Sequence, residues 1–191
     1  GLAIKVNGVE VHHLQFCDHD EVILNENADG KIAKYHAGQN LTIELCFSGE
    51  IIDGSMSGLY PAKYGERELL TTQFESTGAR RVFPCVDEPA AKATFDLSIT
   101  AQKDFAKTIV SNQPALSRKN HDDQITVKFA TTPKMSTYLL AFVIGDLQKI
   151  SRKTTRGVAI NVYATPVQNP ASLTFAANFA AKAIDFYEQY F

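Results

Sequence analysis

Leu69-Leu70-Thr71-Thr72-Gln73-Phe74-Glu75 is a run of β-branched, aromatic and apolar residues, and Gly78 closes it. Read as a strand, residues two apart point to the same face. Gln73 and Glu75 then present an amide and a carboxylate together, while Phe74 turns the other way. Two arginines and a Pro-bounded acidic turn follow, in Ala79-Arg80-Arg81-Val82-Phe83-Pro84-Cys85-Val86-Asp87-Glu88-Pro89. Paired polar groups at a strand end, followed by loop chemistry, suit the rim of a ligand site better than a core.

Outward from this stretch the pattern stays β. Leu2–Val6 and Val9–Val11 flank Asn7-Gly8, the favoured dipeptide of a type I′ hairpin turn. A second hairpin is expected from Val22–Leu24 and Lys31–Tyr35 around Ala28-Asp29-Gly30. Leu41–Ser48 alternates apolar and polar residues, the period of a half-buried strand, and Phe95–Thr100, Ile125–Phe129 and Val158–Val162 repeat it. Tyr138–Ile144 is an unbroken apolar run stopped by Gly145, which predicts a strand covered on both faces. Turn signals fall at Gly49, Asp53-Gly54, Asn112-Gln113-Pro114, Asn120–Asp123 and Thr132-Pro133. Many short strands separated by turns predict an all-β fold, a curved two-sheet, sandwich-like body.

The texture changes at Asn169-Pro170, a helix cap followed by a proline suited to the first helical position. Phe175, Phe179, Ala183, Phe186 and Tyr190 then recur at spacings of four, four, three and four, one face of a helix. No stop signal precedes Phe191, and residue 1 is Gly. The expectation is a segment of a longer polypeptide: a β domain over residues 1–168, truncated at its start, and the first helix of a further domain over 169–191.

The chain has 191 residues, 45% hydrophobic and 21% charged, the balance of a globular protein. A net charge of −2 argues against a nucleic-acid partner. No apolar run approaches the ~20 residues of a membrane span, so no membrane partner is expected. Three scattered cysteines, Cys17, Cys46 and Cys85, fit a reducing, cytoplasmic setting better than a disulfide framework.

Three stretches together resemble the N-terminal domain of the aminopeptidase N family of zinc metallopeptidases. They are Gln73-Phe74-Glu75 through Asp87-Glu88-Pro89-Ala90-Ala91-Lys92-Ala93-Thr94-Phe95, then Lys134-Met135-Ser136-Thr137-Tyr138-Leu139-Leu140-Ala141-Phe142-Val143-Ile144-Gly145-Asp146, and Ala180-Ala181-Lys182-Ala183-Ile184-Asp185-Phe186-Tyr187-Glu188. The resemblance implies a saddle-shaped β domain that caps the active site of a full-length zinc aminopeptidase, an enzyme releasing N-terminal residues from peptides. It implies that Glu75 receives the substrate's free α-amino group and that Gln73 lines the first side-chain pocket. Its partners are peptide substrates, met through their N-terminus, and the catalytic domain.

The family's metal string, two His four apart with Glu as general base, is absent: His12, His13, His19, His36 and His121 contain no such pair. The family's Gly-Ala-Met-Glu-Asn motif is absent too. No catalytic or metal-binding residue is therefore expected within these 191 residues, zinc belongs to the full-length parent, and the fragment alone is expected to be inactive. The competing expectation, from another class, is a non-catalytic β-sandwich interaction module of the same ancestry.

The remaining polar residues have structural readings. One of Arg80 and Arg81 is expected to pair with Asp87 or Glu88 across the turn. Cys85, without a neighbouring His or Cys partner, reads as a structural thiol. The aromatic helical face reads as the surface that packs on the missing domain.

Overall fold

The computed structural model describes residues 2–17, 21–27 and 35–191. The fold is mostly β, in several antiparallel sheets not closed into a barrel, with a single C-terminal helix. The chain divides between Glu50 and Ile51 into two compact units.

The first unit holds β1 (Leu2–Val6), β2 (Val9–Cys17), β3 (Glu21–Asn27) and β4 (Ile43–Phe47), in the sheet order β3-β2-β1-β4. The predicted Asn7-Gly8 hairpin is present: both residues take positive φ, 50° and 81°, as a type I′ turn requires. Asn7 also ties the turn to the edge strand, donating its backbone N–H to Thr42 O at 2.7 Å and accepting from Thr42 N at 2.8 Å through Oδ1. The Lys31–Lys34 part of the second expected hairpin lies outside the described residues. β4 forms where the alternation predicts it, but its outer apolar residues are not buried. Ile4, Val6 and Val11 form the described core and only Leu45 of β4 packs on it, leaving Ile43 and Phe47 exposed.

The second unit contains two larger sheets. One has the order β5-β6-β11-β8, from β5 (Gly58–Tyr64), β6 (Arg67–Gln73), β8 (Thr108–Ser111) and β11 (Phe142–Gly145). The other has the order β7-β10-β9, from β7 (Ser98–Gln102), β9 (Ala115–His121) and β10 (Gln124–Phe129). Ile99, Ile125, Val127 and Phe129 from the second sheet share one buried cluster with Ile109 and Ile144 from the first. Fully burying such side chains contributes about 1.5–3 kcal/mol each.

Tyr138–Ile144 is not one strand. Thr137–Leu139 forms a 3-10 turn with Leu139 exposed, and only Phe142–Gly145 pairs in the sheet. Thr72 Oγ1 accepts from Phe142 N at 2.9 Å and donates to Phe142 O at 3.3 Å. A side chain thus replaces the backbone ladder at this point, and Gln73 keeps only Gly58 of β5 as its strand partner.

Where β11 pairs with β6, Gly145 faces Leu69. A Cβ on Gly145 would lie 2.6 Å from Leu69 Cβ and 3.2 Å from Leu69 Cα. Gly145→Ala is therefore expected to cost about 1–3 kcal/mol in chemical unfolding, since two central strands must part. An unchanged unfolding midpoint would show that the strands yield freely.

β12 (Gln148–Lys153) and β13 (Ala159–Ala164) form a hairpin against which α1 (Pro170–Tyr190) packs. The expected cap is present, with Asn169 Oδ1 accepting from Ala171 N at 2.8 Å. The helix buries Leu173 and Ala177 rather than its aromatic stripe; Phe175 and Phe179 stack on each other at 6.3 Å and remain 72% and 65% exposed. Arg152 Nε donates to Asn178 Oδ1 at 2.8 Å, and Thr155 donates through both N and Oγ1 to Asp185 Oδ1, fixing helix to hairpin. Among the described residues, no helix is long and apolar enough to cross a membrane.

Candidate functional site

Gln73 is the last residue of β6, and Glu75 lies in the turn that follows. Both are exposed, while Phe74 between them is 2% exposed. Phe74 enters a second core cluster with Ala79 and Leu140, packing edge-on to Phe83 at 6.0 Å, and Phe83 packs edge-on to Phe95 at 6.4 Å. Among the described residues, neither the Gln73 amide nor the Glu75 carboxylate makes an internal hydrogen bond. An exposed amide and carboxylate either side of a buried aromatic anchor can receive a cationic, hydrogen-bonding group.

The backbone around them is closely held. The Glu75–Ser76 peptide bond is cis. Gly78 N donates to Phe74 O at 2.7 Å, closing the turn. A Cβ at Gly78 would lie 2.8 Å from Gln73 O, 3.0 Å from Phe74 Cα and 3.1 Å from Ser57 Oγ, so only glycine fits without displacing backbone. Gly58, the strand partner of Gln73, takes φ +81° and packs against Arg81.

After Gly78 the chain makes a 3-10 turn, Ala79–Arg81. The N–H groups that open a helical turn lack partners within it. Asp87 supplies one from across the loop: its Oδ2 accepts from Arg80 N at 3.1 Å and from Arg80 Nε at 3.1 Å. Arg80 Nη2 donates to Asp87 O at 3.0 Å, and Thr137 Oγ1 donates to Asp87 Oδ1 at 2.6 Å. The Asp87 side chain is 2% exposed. Burial alone would raise its pKa, but the Thr137 hydroxyl, the Arg80 N–H and the Arg80 guanidinium hold it below the ordinary 3.8. Of the two arginines, Arg80 makes the expected pairing. Thr137 is the member that sequence reasoning missed, because it lies 50 residues away and nothing local marks it.

Burial pushes the Cys85 thiol up to about 11, and the Asp87 charge adds to this against the opposing Arg80. The protonated thiol is a poor nucleophile at neutral pH, in line with a structural role.

An open cleft of about 640 Å³ lies at the opposite end of β6, where its lining includes Lys63, Arg67, Lys107 and Asp146. Arg67 at one end of that strand and Gln73 at the other are separated by about 20 Å at ~3.3 Å per residue. Within the cleft Asp146 accepts from both Arg67 Nη1 and Lys107 Nζ at 2.9 Å, and Lys63 bonds Asp53 at 2.8 Å, so these cations are already matched. Hydrogen bonding from Lys107 leads the effects that lower the Asp146 pKa.

Among the described residues, no three His, Cys, Asp or Glu side chains converge to hold a metal ion. These residues do not fit a zinc centre.

The family described as the peptidase M1 N-terminal domain matches residues 3–139. Aminopeptidase N of Lactococcus lactis subsp. lactis is 47% identical over 156 residues, covering 79% of this chain and 18% of that protein. Aminopeptidase N of Lactobacillus helveticus is 36% identical over 194 residues, covering 99% and 21%. The alanine/arginine aminopeptidase of Saccharomyces cerevisiae is 35% identical over 208 residues, covering 98% and 24%. The chain thus spans about a fifth of the length of the relatives it matches. A match over most of the chain, together with identities of this size, places it in the M1 aminopeptidase family as the family's N-terminal domain.

Proposed function

We propose that this chain is the substrate-capping N-terminal domain of a cytoplasmic, zinc-dependent aminopeptidase that releases N-terminal amino acids from peptides. Glu75 receives the cationic α-amino group of the substrate, and Gln73 lines the pocket for the first side chain. The observation that carries this reading is the pair of exposed polar groups at the end of β6, either side of buried Phe74, whose side chains make no hydrogen bond with the described residues. A carboxylate meeting an ammonium group makes a charge-assisted hydrogen bond, roughly twice as strong as a neutral one.

Hydrolysis belongs to polypeptide outside residues 1–191, since the sequence carries no pair of histidines four apart with a glutamate between them. Helix α1 is the first element of that catalytic domain, and its exposed Phe175, Phe179, Phe186 and Tyr190 are the surface that packs there.

The test uses L-alanine p-nitroanilide and short peptides. The full-length polypeptide should cleave substrates with a free N-terminus, ignore their N-acetylated forms and lose activity to a zinc chelator. Residues 1–191 alone should release no product. Cleavage of N-acetylated peptides, or activity from residues 1–191 alone, would overturn the proposal.

A further inference from the structure

We propose that Asp87 is a positioning residue for substrate binding, holding Glu75 in place through the 3-10 turn at Ala79–Arg81. The inference rests on the reading of Glu75 as the receiver of the substrate's amino group.

The Glu75 carboxylate has no hydrogen-bonding neighbour among the described residues, so its location depends on its backbone. That backbone is pinned on two sides. Before it, Phe74 is sealed in the core. After it, the Gly78 N–H closes onto Phe74 O, and the chain enters the 3-10 turn without slack, since Gly78 lies against Gln73 O and Phe74 Cα. The far end of this short loop is held by Asp87. One carboxylate oxygen takes the Arg80 N–H and Nε–H, and the other takes the Thr137 hydroxyl.

Both oxygens of Asp87 are therefore engaged, and the side chain is buried away from any ligand. Burial closes it to substrate, yet it joins three separate pieces of chain. These are the turn beside Glu75, the Pro84–Pro89 loop and the 3-10 turn at Thr137–Leu139. Asparagine keeps one acceptor oxygen for the Arg80 N–H, but it loses the charge that pairs the guanidinium, and its amide can hold Thr137 only by donating to the hydroxyl. Weakening the hold of Asp87 on Arg80 loosens the turn five residues beyond Glu75 and spreads the carboxylate over more positions. Binding of the amino group then weakens in the ground state and the transition state alike. That combination raises KM and leaves kcat unchanged.

The experiment is a double-mutant cycle in the full-length enzyme, with L-alanine p-nitroanilide as the probe. Asp87→Asn is expected to raise KM by about tenfold with kcat within about twofold of the parent. Glu75→Gln raises KM by itself. In the Glu75→Gln background, Asp87→Asn should add nothing further to KM, because the group it positions is already disabled. Thr137→Val removes a single bond to Asp87 and should show a smaller rise with the same coupling. It decides the matter if Asp87→Asn fails to accumulate.

If Glu75→Gln leaves KM unchanged, the substrate-binding reading falls and this proposal falls with it. If Glu75→Gln raises KM but the effects of Asp87→Asn or Thr137→Val multiply with it, only the positioning role is overturned. The positioning role is likewise overturned if those variants lower thermal stability and kcat while KM stays put.

Discussion

Glu75→Ala in the full-length enzyme is expected to raise KM for peptides with a free N-terminus by roughly tens-fold, with little change in stability. A hydrogen bond to a charged group is worth about 1.5–3 kcal/mol, and each ~1.4 kcal/mol is tenfold in affinity. The Glu75 side chain is exposed and makes no hydrogen bond with the described residues, so its removal leaves no broken network behind. Surface changes of that kind stay within about 0.5 kcal/mol in unfolding. The combination of a large kinetic effect and a small structural one separates a ligand contact from a fold contact. Steady-state kinetics with L-alanine p-nitroanilide, paired with thermal unfolding, reads both. An unchanged KM would remove Glu75 from the site.

Asp87→Ala is expected to add a large loss of stability to its effect on KM. It removes the buried member of an ion pair whose other member, the Arg80 side chain, is 35% exposed, and it withdraws an acceptor from Arg80 N and from Thr137 Oγ1. Hydrogen bonds to a charged group contribute about 1.5–3 kcal/mol each, so the loss is a sizeable part of a typical stability of about 5–15 kcal/mol. The pH dependence follows from the direction of the shift. Asp87 has a lower pKa folded than unfolded. Its contribution is complete above the unfolded value, near 3.8, and is lost as pH falls through the lower folded value. In urea titrations the parent should therefore lose stability on acidification below about pH 4, and the variant should lack that increment while being weaker at neutral pH. Parallel pH profiles for the two proteins would exclude Asp87 as the source.

How much of the fold and the site is legible in the sequence differs from element to element. The Asn7-Gly8 hairpin, the strand at Gln124–Phe129 and the Asn169 cap are written in residues a few positions apart. Their conformations depend on local sterics and on hydrogen bonds the segment makes with itself. The alternation around Phe74 is local in the same way, and so is the chemistry of Gln73 and Glu75. The family resemblance is equally a property of contiguous residues, carried by Gln73–Phe95 and Lys134–Asp146.

Other features came only from distant partners. The run Tyr138–Ile144 reads as a strand by its hydrophobicity, yet it breaks because the Thr72 hydroxyl takes the Phe142 backbone and Thr137 turns to reach Asp87. The choice of Arg80 over Arg81 depends on which guanidinium the 3-10 turn aims at Asp87.

By itself, then, the sequence determined the β class, the Asn7-Gly8 turn, the capped helix and the polar character of Gln73 and Glu75 around Phe74. Tertiary structure alone decided that α1 buries Leu173 and Ala177 against β12–β13 and leaves its aromatic stripe exposed. It also decided that the loop beside Glu75 is anchored 50 residues away in sequence, by Thr137 through Asp87. The physical reason is the same in both cases. Periodicity settles which side chains share a face, but which face is covered depends on surfaces brought together only when the chain has folded.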